Sequence, residues 1–106
     1  MPIIEADDGT IVHINVFTCA PENQQALVDS LTDAVNAART VPGWLSASIH
    51  RSFDGRQVTN YVQFASHEAA KAVVRLLMSE GLLQKNLALG AVAPGQYEVV
   101  YTSSAD

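Results

Sequence analysis

Charge is scarce in this chain, and positive charge is scarcest. Charged residues make up 16% of the 106 positions, with six Lys and Arg against eleven Asp and Glu. The six cations are scattered from Arg39 to Lys85, so no basic stripe exists to neutralise a phosphate backbone, and nucleic acid is excluded as an expected partner. Cysteine is nearly missing. Cys19 stands alone, which rules out an internal disulfide and leaves a small buried thiol as its expected state. The opening "MPIIEADDGT" carries acids where a secretory signal would carry positive charge. Together with the lone thiol, this makes a cytoplasmic protein the expectation. No apolar run approaches the roughly 18 residues of a membrane span, since "AAKAVVRLLM" is broken by Lys71 and Arg75. The histidines His13, His50 and His67 show no i, i+3 or i, i+4 spacing and no acidic partner at ligand distance in sequence, which argues against a metal site.

What the chain does have is apolar mass. Hydrophobic residues make up 48% of it, enough for one compact core, and we read residues 1–106 as a single domain. That fraction is high for a small monomer and points to apolar surface buried between chains.

The pattern along the chain alternates strand and helix signals. Residues 10–18, "TIVHINVFT", are β-branched and place Val12, Ile14 and Val16 on one face and His13 and Asn15 on the other. Pro21 opens a helix whose Leu27, Leu31, Ala34, Val35 and Ala38 share a stripe, and "TVPG" closes it. "WLSASIHRSF" and "RQVTNYVQFA" flank Asp54-Gly55, the signature of a two-residue hairpin turn. That turn sets Ile49 opposite Asn60, Ala47 opposite Val62 and Leu45 opposite Phe64. Ser66 caps a second helix with an apolar face from Ala69 to Leu77, "LLQKNLALG" adds a further helical turn or two, and "QYEVVYTS" after Pro94-Gly95 reads as the fourth strand.

The order β-α-β-β-α-β defines an α+β, ferredoxin-like fold, an antiparallel four-stranded sheet with its helices on one face. Its other face is left bare, presenting His50, Thr59, Tyr61, Gln63 and Trp44, and a homodimer through that open sheet face is the economical way to cover it. On the helix side, Asn60 shares its face with Val58, Val62 and Phe64. A buried amide without a partner costs about 1–3 kcal/mol. Two readings satisfy it: a bond to a backbone carbonyl or helix end, or a contact with a ligand in a pocket that the small Ala47 leaves room for.

The stretch "VPGWLSASIHRSFDGRQVTNYVQFASHEAAKAV", residues 41–73, resembles the middle of the antibiotic biosynthesis monooxygenase family, and particularly its small cofactor-independent oxygenases that convert polyketide anthrones to quinones. The resemblance implies a dimeric α+β barrel with a site inside each subunit between sheet and helices. It also implies a small aromatic substrate, O2 as co-substrate and no cofactor, because a deprotonated anthrone can itself pass an electron to O2. The family's asparagine falls on Asn60 as an orienting donor. Its tryptophan four residues later is Phe64 here, an aromatic wall without an indole N–H. A basic residue beyond the second helix falls on Gln84 or Lys85, a second donor by this carry-over. Leu45, Ile49, Ala47 and Val62 would line the apolar part. The rival expectations are a non-catalytic dimeric barrel of the same fold and a haem-degrading relative, the latter disfavoured because residues 69–80 hold no histidine to ligate iron.

Overall fold

A computed structural model describes residues 3–105. The chain runs β1 (Ile11–Thr18), a single 3-10 turn (Pro21–Asn23), α1 (Gln24–Ala38), β2 (Trp44–Arg51), β3 (Gln57–Phe64), α2 (His67–Ser79), α3 (Leu82–Leu89) and β4 (Ala91–Glu98). The strands form one antiparallel sheet in the order β2-β3-β1-β4. This is the ferredoxin-like arrangement, with α1 and α2 packed on the same side of the sheet.

Local chemistry accounts for the boundaries. Ser66 caps α2 by accepting a hydrogen bond from the Ala69 N–H at 3.1 Å. At the end of α1, Gly43 adopts φ +89° and carries the chain into β2 at close quarters, since a Cβ there would meet Ala69 Cβ at 2.6 Å. The β2–β3 hairpin keeps the expected register, Ile49 opposite Asn60 and Ala47 opposite Val62. Its turn is wider than the two residues that Asp54-Gly55 signalled. Ser52 closes the hairpin on Gln57, and the Asp54 carboxylate ties the loop by accepting from Ser52 Oγ at 2.6 Å and from the Arg56 N–H at 3.0 Å.

Two expectations are corrected. A β-bulge at the start of β2 pairs Trp44, rather than Leu45, with Phe64. The extra residue inverts the alternation there, so Leu45 turns outward at 48% exposure and Trp44 packs on the helix side against the core. The fourth strand starts and ends earlier than "QYEVVYTS" indicated. Ala91–Glu98 pairs with β1, with Pro94 opposite Asn15 in mid-strand. A proline there is tolerated because β4 is an edge strand, whose outward N–H groups have no ladder partner to lose.

The core falls into two clusters. Phe17, Leu27, Leu31 and Val58 form one. Val62, Phe64, Ala34, Ala38, Ala70, Val73 and Leu77 belong to the other. On the inward face of the two central strands, His13, Asn15 and Asn60 lie between them in register, where β1 and β3 pair Asn15 with Asn60 and His13 with Val62. The alternation read in β1 holds, and it is the polar set that faces the helices.

Candidate functional site

Where the polar residues interrupt the core, a cavity of about 500 Å³ opens between sheet and helices. That is within the range of sites for small organic ligands, roughly 300–1,000 Å³. Most of its wall is aliphatic or aromatic, from Phe17, Leu31, Val62, Phe64, Val73 and Leu77. Its polar groups are few: His13, Asn15, Trp44, Asn60, Asn86 and Gln96.

Asn60 is hydrogen-bonded to a neighbouring side chain rather than to a backbone carbonyl or helix end. Its Oδ1 accepts from Nδ2 of Asn15 at 2.8 Å. An amide whose oxygen is engaged keeps both N–H donors of its own nitrogen, and none of them meets an acceptor among the described residues. The pair therefore presents donors to the cavity rather than cancelling itself.

Asn86 repeats the device from the helix side. It is 3% exposed, and its Oδ1 accepts from Ser30 Oγ of α1 at 2.5 Å. Trp44 adds an indole whose Nε1–H is buried without a partner, a state worth about 1–3 kcal/mol in lost hydrogen bonding. His13 contributes an imidazole edge-on to Phe64, ring centroids 4.9 Å apart, whose Nε2 is likewise buried and unpartnered. Burial holds this imidazole below the ordinary histidine value, and the neighbouring His67 pushes it the same way.

Of the residues singled out from sequence, Asn60, Val62 and Phe64 line this cavity. Ala47 and Ile49 face the same side of the sheet but pack into the two core clusters beside it. Leu45 is turned out by the bulge. Gln84 and Lys85 lie on the outer face of α3: Gln84 reaches the Met78 carbonyl over 3.5 Å, and Lys85 pairs with Asp33 at 3.0 Å on the surface. The inward residue of that helix is Asn86. Its signal was present, since Leu82, Leu83, Asn86 and Leu89 fall at the 0, 1, 4, 7 spacing of one helical face. His13 and Asn15 had only their alternation with Val12, Ile14 and Val16 to mark them, and Trp44 was masked by the bulge.

A four-stranded antiparallel sheet, helices on one side and a largely apolar, amide-studded cavity between them define an α+β domain with room for a small organic ligand. Comparison with known sequences agrees in kind: the profile described as "Antibiotic biosynthesis monooxygenase" matches residues 10–76, and the chain belongs to that family. Tetracenomycin-F1 monooxygenase of Streptomyces glaucescens is 43% identical over 74 residues, a stretch covering 69% of this chain and 66% of that protein. Among solved structures, a monooxygenase from the ActVA-Orf6 gene of Streptomyces coelicolor, in complex with nanaomycin D, superposes with a TM-score of 0.76 at 27% identity. The match covers 92% of this chain and 93% of that one. SnoaB, a cofactor-independent oxygenase from Streptomyces nogalater, shares the fold at a TM-score of 0.75 and 16% identity, over 89% of this chain and 96% of its own.

Proposed function

We propose that this protein is a cofactor-independent monooxygenase that oxidises an electron-rich polycyclic phenol or anthrone with O2 to a quinone. The observation that carries the reading is the Asn15–Asn60 pair, which leaves the Asn60 amide N–H groups free at the wall of a largely apolar cavity. The family relationship and the aromatic ligand of the ActVA-Orf6 protein support it.

An anthrone becomes a reductant of O2 only as its anion. The protein's task is then to hold the planar ring system, strip it of water and stabilise negative charge as it develops on oxygen. Phe64 and the aliphatic wall supply the first two. Asn60 Nδ2 is the donor aimed at the developing oxyanion, held in orientation by Asn15. Trp44 Nε1–H stands in for the indole donor that Phe64 lacks, its pairing opposite Phe64 putting it beside the position where the family carries tryptophan. Asn86 replaces Gln84 and Lys85 as the second donor from beyond α2. The electron acceptor is O2, and the products are quinone and water.

Assembly as a homodimer through the open sheet face is part of the proposal. That face presents Tyr97, opposite Val12 and 53% exposed. Covering such a face removes aromatic surface from water.

The test is oxygen uptake with 1,8-dihydroxyanthrone on metal- and flavin-free protein, repeated with Asn60→Ala. Consumption well above buffer that collapses in the variant is expected. A wild-type rate equal to buffer would reject the oxygenase reading for this class of substrate.

A further inference from the structure

We propose that the imidazole of His13 is the proton carrier of this site: it takes the proton that the substrate loses before reacting with O2 and returns it to the peroxide. The proposal rests on the oxygenase reading above, and it assigns the one role which that reading leaves open.

The lining of the inner cavity includes no other side chain that exchanges a proton near neutral pH. Its remaining polar residues are asparagines, a glutamine and an indole, which donate hydrogen bonds but do not titrate in this range. His13 is two residues from Asn15 on the same inward face of β1, so the proton acceptor and the oxyanion donors line one wall. Its ring is set edge-on to Phe64, the aromatic residue against which a planar guest would lie.

His13 also belongs to two spaces. A second, more open cleft of about 660 Å³ shares it and is lined further by His67, Glu68, Lys71, Arg75 and Gln96. A ring that borders both a largely apolar cavity and a more open, charged cleft is placed to receive a proton on one side and equilibrate it on the other. The titratable groups near it come from α2, namely His67, Glu68, Lys71 and Arg75; β3 and β4 contribute only Val62, Phe64 and Gln96 to its surroundings.

A base must be neutral to accept. Desolvation favours the neutral ring, and the buried, unpartnered Nε2 makes its protonated form costlier still. The chemistry then balances. His13 removes a proton from the anthrone methylene, giving a carbanion and an imidazolium. The carbanion reduces O2 by one electron, the radical pair combines into a C–O bond, and the imidazolium protonates the terminal peroxide oxygen. Loss of the remaining C–H proton to His13 with cleavage of the O–O bond yields the carbonyl, and the departing hydroxide takes that proton as water.

The decisive experiment separates proton transfer from oxygen chemistry. Wild type and His13→Gln are mixed anaerobically with 1,8-dihydroxyanthrone at neutral pH, and the visible absorption of the probe's anion is read. Wild type is expected to show the anion band and His13→Gln to lose it, with folding of both checked by circular dichroism. In air, turnover in His13→Gln should fall about 100-fold, and added imidazole should restore part of it in His13→Ala. An anion band that persists in His13→Gln, or that neither protein produces, overturns the proposal. A wild-type anion band lost on substitution, with no oxygen consumed in air, would sustain His13 as proton acceptor while defeating the oxygenase reading alone.

Discussion

Asn15 and Asn60 face each other directly across β1 and β3, with Nδ2 of the first 2.8 Å from Oδ1 of the second. Two amides in the middle of a greasy sheet face are costly to fold around unless each satisfies the other, and this arrangement satisfies only one acceptor. The remaining N–H groups meet no acceptor among the described residues, as the preorganised donors proposed for the oxyanion require.

The pair should therefore behave as a unit in catalysis. Asn15→Ala and Asn60→Ala are each expected to lower kcat for anthrone oxidation by about 10²–10³-fold, the usual loss for an oxyanion donor. The double variant should be little worse than either single one, because removing Asn15 already misorients Asn60. Oxygen-electrode kinetics on the four proteins close the cycle, and strictly multiplicative losses would show that the two act independently.

Trp44→Phe separates packing from donation. The ring is kept and a buried N–H without a partner is removed, so stability should hold or rise by up to about 1 kcal/mol. Turnover should fall by about 3–10-fold, the worth of one hydrogen bond. Urea denaturation and steady-state rates on one preparation decide it; an unchanged rate would return Trp44 to a purely structural role.

Lys85→Met should do almost nothing. Its ion pair with Asp33 is half exposed at both ends, a setting in which such pairs contribute roughly 0–1 kcal/mol. Activity within about two-fold of wild type is expected, since the cation lies outside the cavity. A large loss in kcat would mean that α3 turns inward on substrate binding.

Stability should weaken on mild acidification in a way that depends on His13. The unfolded chain protonates this ring near pH 6.5, whereas burial makes the folded chain resist until lower pH. Below about 6.5 the unfolded state holds the extra proton, so this contribution to stability is fully present only above about 6.5 and is lost as pH falls towards the folded value. Asp8 and Asp54, whose carboxyls are lowered by hydrogen bonds from Thr10 and Ser52, act only in the more acidic carboxylate range. Urea midpoints measured from pH 7.5 to 5 should slope for wild type and flatten for His13→Gln.

Gly43→Ala tests how the bulge is held. The left-handed φ of +89° costs a residue with a side chain about 1–2 kcal/mol, and the new methyl would sit 2.6 Å from Ala69 Cβ. Tm should drop by about 5–15 °C, and Trp44 fluorescence should shift as the start of β2 moves.

Much of the architecture was legible because it follows from short-range rules. Period-two alternation marked β1 and the hairpin strands, Ser66 and Pro21 marked helix starts, and the Asp54-Gly55 loop kept Ile49 on Asn60 even though the turn proved wider than two residues. The errors arose where one residue changes parity or context. The bulge exchanged Trp44 for Leu45, and an edge position allowed Pro94 inside β4 where proline reads as a break. On α3, counting along the chain reached Gln84, while the apolar face of the helix selected Asn86.

Sequence by itself determined the elements, the β-α-β-β-α-β order and the oddity of Asn60, since these depend on patterns within ten or so neighbouring residues. Only the tertiary structure decided that the β1 pair His13 and Asn15 gathers with Asn86 and Trp44 around the same cavity, because β1, α3 and β2 are brought together by no spacing along the chain. The physical reason is that a site is made by strands pairing and helices docking across long sequence separations, and the identity of a polar group's partner is settled only when those surfaces meet.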